Sequence, residues 1–81
     1  MKAKVFISLK NGVLDPQGRA TMGALENLGF SGIKDVRIGK MIEIELEGKD
    51  PKKAEKTVND MCAKLLANTV VENYRVEFSD V

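Results

Sequence analysis

Apolar and polar residues alternate over residues 3–9, with Ala3, Val5, Ile7 and Leu9 on one face and Lys4, Phe6 and Ser8 on the other. Period-two alternation predicts a half-buried strand. Beyond residue 15 the period changes: Ala20, Ala24, Leu25 and Leu28 recur at helical spacing, and Gly29 is placed to end that helix. Asp15 serves as N-cap and Pro16 as first helical residue, where a fixed φ suits the helix and the missing N–H costs nothing. Phe30 is then expected to turn back onto the core, and Ser31-Gly32 to reverse the chain. The Asp-Pro start signal recurs as Asp50-Pro51, which suggests two similar halves.

Residues 33–38 are expected to form a second strand, with Val36 and Ile38 on one face and Arg37 between them, and Gly39-Lys40 a tight connection. Residues 41–47 alternate as a third strand, Ile42, Ile44 and Leu46 against Met41, Glu43, Glu45 and Glu47. The second helix carries a continuous apolar stripe of Ala54, Val58, Met61, Cys62, Leu65 and Leu66 and closes at Asn68-Thr69. A last strand covers residues 73–79, with Tyr74, Val76 and Phe78 inward. The order β-α-β-β-α-β predicts an α+β, ferredoxin-like domain: a four-stranded antiparallel sheet with two helices on one face. Its edges would be the second and fourth strands.

Composition narrows the function classes. At 81 residues the chain reads as one domain, residues 1–81, with a modest core that association would help. Thirteen basic and twelve acidic residues leave a net charge of +1, without the basic patch that nucleic acid or anionic lipid requires. No apolar run reaches the ~20 residues of a membrane span, and the N-terminus passes straight into a strand without a signal peptide. One cysteine makes no intramolecular disulfide, which fits a cytoplasmic setting.

Histidine and tryptophan are absent. Cys62 lies on the apolar stripe and reads as core filler. Glu43, Glu45 and Glu47 share one strand face at ~7 Å intervals, a row that superficially suggests metal or acid–base chemistry. Lys4 and Lys10 on the neighbouring first strand make a solvated ladder of cross-strand ion pairs the stronger reading. Gly12, Gly18, Gly29, Gly32, Gly39 and Gly48 fall at element ends with no phosphate-binding spacing. Gly18 still asks for a reason, because glycine in a first helical turn costs roughly 0.5–1 kcal/mol relative to alanine. Either another chain's backbone approaches closely there, or the position merely tolerates it. Phe6 and Met41 are apolar on an otherwise charged sheet face, and the sheet edges are open to pairing. These features favour an interaction module.

Leu9-Lys10, then Val13-Leu14-Asp15-Pro16-Gln17-Gly18, Ala24-Leu25, Leu28-Gly29-Phe30, Val36-Arg37 and Gly39-Lys40 resemble the PurS family, small subunits of phosphoribosylformylglycinamidine synthase. The likeness covers essentially the whole chain, its second half mainly by layout. It implies a cytoplasmic, non-catalytic subunit of purine biosynthesis that binds no cofactor itself, in a complex that uses ATP and magnesium. It further implies a homodimer, with pairing of dimers left open, that bridges a large amidoligase subunit and a glutaminase subunit and supports ammonia transfer between them. By position, Asp15, Pro16, Gln17 and Gly18 would form one partner-binding loop, and Arg37, Gly39 and Lys40 a second patch, with Arg37 and Lys40 in direct contact. The competing reading is a stand-alone dimeric regulatory domain holding a small ligand at its interface.

Overall fold

The computed structural model describes residues 1–79. Strand β1 (Lys2–Leu9) leads to helix α1 (Pro16–Asn27), then strand β2 (Lys40–Glu45), helix α2 (Pro51–Met61) and strand β3 (Glu72–Ser79). The three strands form an antiparallel sheet in the order β2-β1-β3, with Val5 opposite both Ile42 and Val76. The inward faces are as the alternation predicts. Ala3, Val5 and Ile7 on the central strand are buried under Val58, Cys62 and Ala67, with Tyr74, Val76 and Phe78 packed at the margin.

Both helix starts follow the chemistry of their caps. The Asp15 side chain accepts from the Gly18 amide, and that of Asp50 from the amides of Lys52 and Lys53, each followed by proline. Helix α1 ends as its glycine demands. Gly29 takes a φ of 99°, the Phe30 amide donates to the Leu25 carbonyl and the Gly29 amide to that of Glu26, the two bonds of a Schellman motif. Helix α2 instead widens into a π turn at Cys62–Leu66, where the Ala67 amide reaches back to the Cys62 carbonyl. The wider turn rotates the stripe, so that Ala67 is buried and Leu65, expected in the core, is 83% exposed.

Three expectations change. First, among the described residues, 33–39 pair with no strand, so the sheet has three strands rather than four. A tight two-residue hairpin needs positive φ at one or both central residues, and neither Gly39 nor Lys40 has it. The connection is not a turn. Second, the two helices do not share one face of the sheet. Helix α2 covers β1 and β3, while α1 makes at most marginal contact with any other element and buries only Gly18. Third, the predicted inner face of α1 is in solvent: Leu28 is 75% and Phe30 59% exposed. The molecule is consequently long, 49 × 28 × 15 Å with a radius of gyration of 16.1 Å. A compact chain of this length has about 12 Å.

Candidate functional site

The loop between β1 and α1 and the segment before β2 meet in a polar knot built around Asp15. Its carboxylate uses both oxygens: Oδ1 accepts from the Gly18 amide at 2.9 Å, Oδ2 from the Ile38 amide at 2.7 Å. The side chain is almost fully buried. The amides of Ile38 and then Gly18 hold its pKa below the ordinary value, against a smaller opposing effect of desolvation. Arg37 closes the knot from the other side. Its guanidinium donates to the carbonyls of Val13 (3.0 Å), Lys10 (3.1 Å) and Leu9 (3.3 Å), tying the end of β1 and the loop after it to the segment before β2.

The same knot explains two glycines. A Cβ on Gly18 would sit 2.1 Å from the Val36 carbonyl oxygen, and one on Gly39 2.5 Å from that of Ile7. The close approach that makes glycine necessary at position 18 is thus by this chain's own backbone. Of the two explanations open in the sequence, neither an incoming chain nor idle tolerance is required.

An open groove of about 260 Å³ runs past the knot, lined by Asp15, Pro16, Gln17, Gly39 and Lys40 on one flank and by Glu72 on the other. The fold therefore gathers into one place what the sequence presented as two patches. Pro16, Gln17 and Lys40 are exposed there, whereas Gly18 is buried behind the groove and the Arg37 guanidinium is occupied by carbonyls. Sequence reasoning missed the backbone partners, the Val36 and Val13 carbonyls and the Ile38 amide. Main-chain groups leave no mark in a side-chain pattern, and the unexplained cost of Gly18 was the only signal pointing to them.

The other candidates have simpler surroundings. Glu43 and Glu77 flank Lys4 in register, and Lys2 Nζ lies 3.7 Å from Glu43 Oε2. Lys2, rather than the expected Lys4 or Lys10, closes the ion pair with the carboxylate row, and Lys10 stands beyond the pairing. Cys62 is buried, and burial pushes its thiol pKa up, away from the thiolate. Phe6 pairs with Met41 in register and carries the Arg75 guanidinium 4.4 Å above its ring, while Arg75 also bonds Glu77. No described helix is long and apolar enough to cross a membrane.

Comparison with known proteins agrees with this architecture. The sequence profile of the family described as PurS, phosphoribosylformylglycinamidine (FGAM) synthase, matches residues 2–80. Phosphoribosylformylglycinamidine synthase subunit PurS of Bacillus subtilis is 49% identical over 80 residues, 99% of this chain and 94% of that protein. The crystal structure of Methanocaldococcus jannaschii PurS, one of the subunits of formylglycinamide ribonucleotide amidotransferase, superposes with a TM-score of 0.89 at 44% identity, covering 99% of this chain and 96% of that one. A chain in the structure of PurLQS from Thermotoga maritima superposes with a TM-score of 0.85 at 33% identity, covering 94% and 93%. With near-complete coverage on both sides and identity well above the level of fold likeness alone, the chain belongs to the PurS family.

Proposed function

We propose that this chain is the small, non-catalytic subunit of phosphoribosylformylglycinamidine synthase in purine biosynthesis. The observation that carries the reading is end-to-end similarity to PurS subunits, one of them solved within PurLQS. The sequence is in keeping with a subunit that assists chemistry performed elsewhere, since it holds no histidine and its one cysteine is buried. In this reading the chain acts in the cytoplasm as a homodimer. It sits between a large amidoligase subunit, which uses ATP and magnesium, and a glutaminase subunit, and it helps ammonia pass between them without loss to water. The groove at Asp15, Pro16, Gln17, Gly39 and Lys40 is the partner-facing surface. Of these, Gln17 and Lys40 supply the direct contacts, because their side chains are exposed and take no part in the knot.

Reconstitution tests it. The chain is mixed with the two larger subunits, glutamine and magnesium nucleotide, and followed by size-exclusion chromatography with light scattering. The expected result is one larger complex, whose glutamine-driven turnover stops when this chain is omitted. Failure to join either partner, with turnover unaffected by omission, would overturn the assignment.

A further inference from the structure

We infer that the cleft between helix α1 and the segment before β2 binds an organic phosphate monoester, with Arg19, Lys34 and Arg37 on the phosphate and Leu14, Met22 and Val36 against the body that carries it. The inference goes beyond the subunit role proposed above and stands or falls separately from it.

Placement comes first. A cavity of about 360 Å³ opens there, lined by those six residues together with Asp15 and Asp35. Its size falls at the lower end of the ~300–1,000 Å³ usual for small-molecule sites. Arg19 and Met22 are neighbours on one face of α1, whereas Gln17, two residues before Arg19, lies about 200° away around the helix. The cleft and the groove at Gln17 and Lys40 therefore open on different sides of α1.

Charge decides the sign of the ligand. Among the described residues, neither the Arg19 nor the Lys34 side chain takes part in an ion pair. The carboxylates of the lining are committed to main-chain groups instead, Asp15 to the Gly18 and Ile38 amides and Asp35 through Oδ1 to the Val36 amide. Arg37 is fixed in place by its three carbonyl bonds, and it still has N–H donors to offer. One preset guanidinium thus stands beside two cations that are free to close on a ligand. In a concave site such an excess of one sign focuses the field and draws the opposite charge.

The number of cations selects among anions. A carboxylate is satisfied by a single guanidinium fork. Three cations from different points of the chain suit the charge of about −1.5 to −2 and the three acceptor oxygens of a phosphate monoester. Beside them, Leu14 is 61% exposed and Met22 and Val36 are half-buried. Inorganic phosphate would leave that apolar floor wet, and a ring attached to the phosphate covers it.

The test titrates the ¹⁵N-labelled whole chain with adenosine 5′-monophosphate, inorganic phosphate and adenosine at fixed ionic strength, following the amide shifts. The monophosphate is expected to saturate with a Kd below about 1 mM, with the largest shifts at Arg19, Met22 and residues 34–37. Arg19→Gln combined with Lys34→Gln is expected to weaken it tenfold or more. Lys52→Gln with Lys56→Gln removes the same charge from exposed positions on α2, and is expected to leave affinity within two-fold because distant charges are screened. Asp35→Asn is expected to tighten binding, since asparagine keeps an acceptor for the Val36 amide and loses the opposing charge. All these side chains are exposed and outside the knot, and an unchanged urea midpoint checks that each variant is folded. Shifts that do not saturate, or an equal loss in the two double variants, overturn the site. Inorganic phosphate binding as tightly as the monophosphate overturns the apolar half of it, and adenosine binding as tightly overturns the phosphate half.

Discussion

Asp15 and Gly18 do more for this molecule than any apolar residue of α1. The carboxylate of Asp15 accepts one amide on each oxygen, a pairing that an asparagine cannot reproduce, since its NH₂ would face the Ile38 amide. Because the folded-state pKa is depressed, the stabilisation is fully present above the ordinary value of 3.8 and is lost as the pH falls through the lower folded-state value. Asp15→Asn is therefore expected to lower the urea midpoint at pH 7 and to lose that deficit progressively below about pH 4. A gap between the two proteins that stays constant on acidification would show that the charge is not in use. At Gly18 the constraint is steric. Gly18→Ala should cost about 1–3 kcal/mol, the range for overpacking a filled site, measured by denaturant unfolding. A substitution there disturbs the chain's own knot, so Gln17 and Lys40 are the cleaner probes of partner contact.

At the scale of elements, the two helices have opposite roles. Helix α2 carries the core through Val58 and Cys62, and Val58→Ala should cost about 2–3 kcal/mol from lost burial and the cavity left behind. Leu65 belongs to the same apolar stripe in sequence, yet the π turn places it in solvent. Leu65→Lys should change the stability of the isolated chain by less than about 0.5 kcal/mol, and a loss comparable to that at Val58 would place Leu65 in a core. The glutamates of β2 and its continuation face water beside Lys2 and Lys4. Replacing Glu43, Glu45 and Glu47 together by glutamine is expected to leave the glutamine-dependent turnover of the reconstituted synthase within a few-fold. A hundredfold loss with assembly intact would make the row catalytic.

For the whole molecule, the homodimer proposed above links stability to association, in keeping with the elongated shape and large exposed surface of the single chain. A chain that folds fully only with a second copy should show a Tm that rises with its own concentration. Across a hundredfold dilution series the midpoint is expected to fall by several degrees, and a Tm independent of concentration would mark a self-sufficient monomer. The polar knot matters here as well. It fastens residues 37 and 38 to the loop after β1, so Asp15→Asn should lower the Tm at every concentration of the series.

Both helices with their caps, the Gly29 stop and the three paired strands with their inward faces were legible in the sequence, whereas the strand expected over residues 33–38 and the π turn at Cys62–Leu66 were not. Each legible feature depends on local chemistry: alternation of Ala3, Val5 and Ile7, the Asp-Pro pairs, a glycine where φ must be positive. Family membership was legible for a related reason, since Asp15-Pro16-Gln17-Gly18 and the segments around it are contiguous and specific. Tertiary structure decided which elements meet. Whether residues 33–38 fold back on β2 depends on the competition between a Gly39-Lys40 turn and the bonds from Asp15 and Arg37 to main-chain groups distant in sequence. Periodicity carries no information about that competition. The apolar face of α1 was expected to pack on the sheet, yet only Gly18 of that helix is buried and Leu28 is exposed. An amphipathic pattern marks which face is apolar and does not say what, if anything in the same chain, covers it.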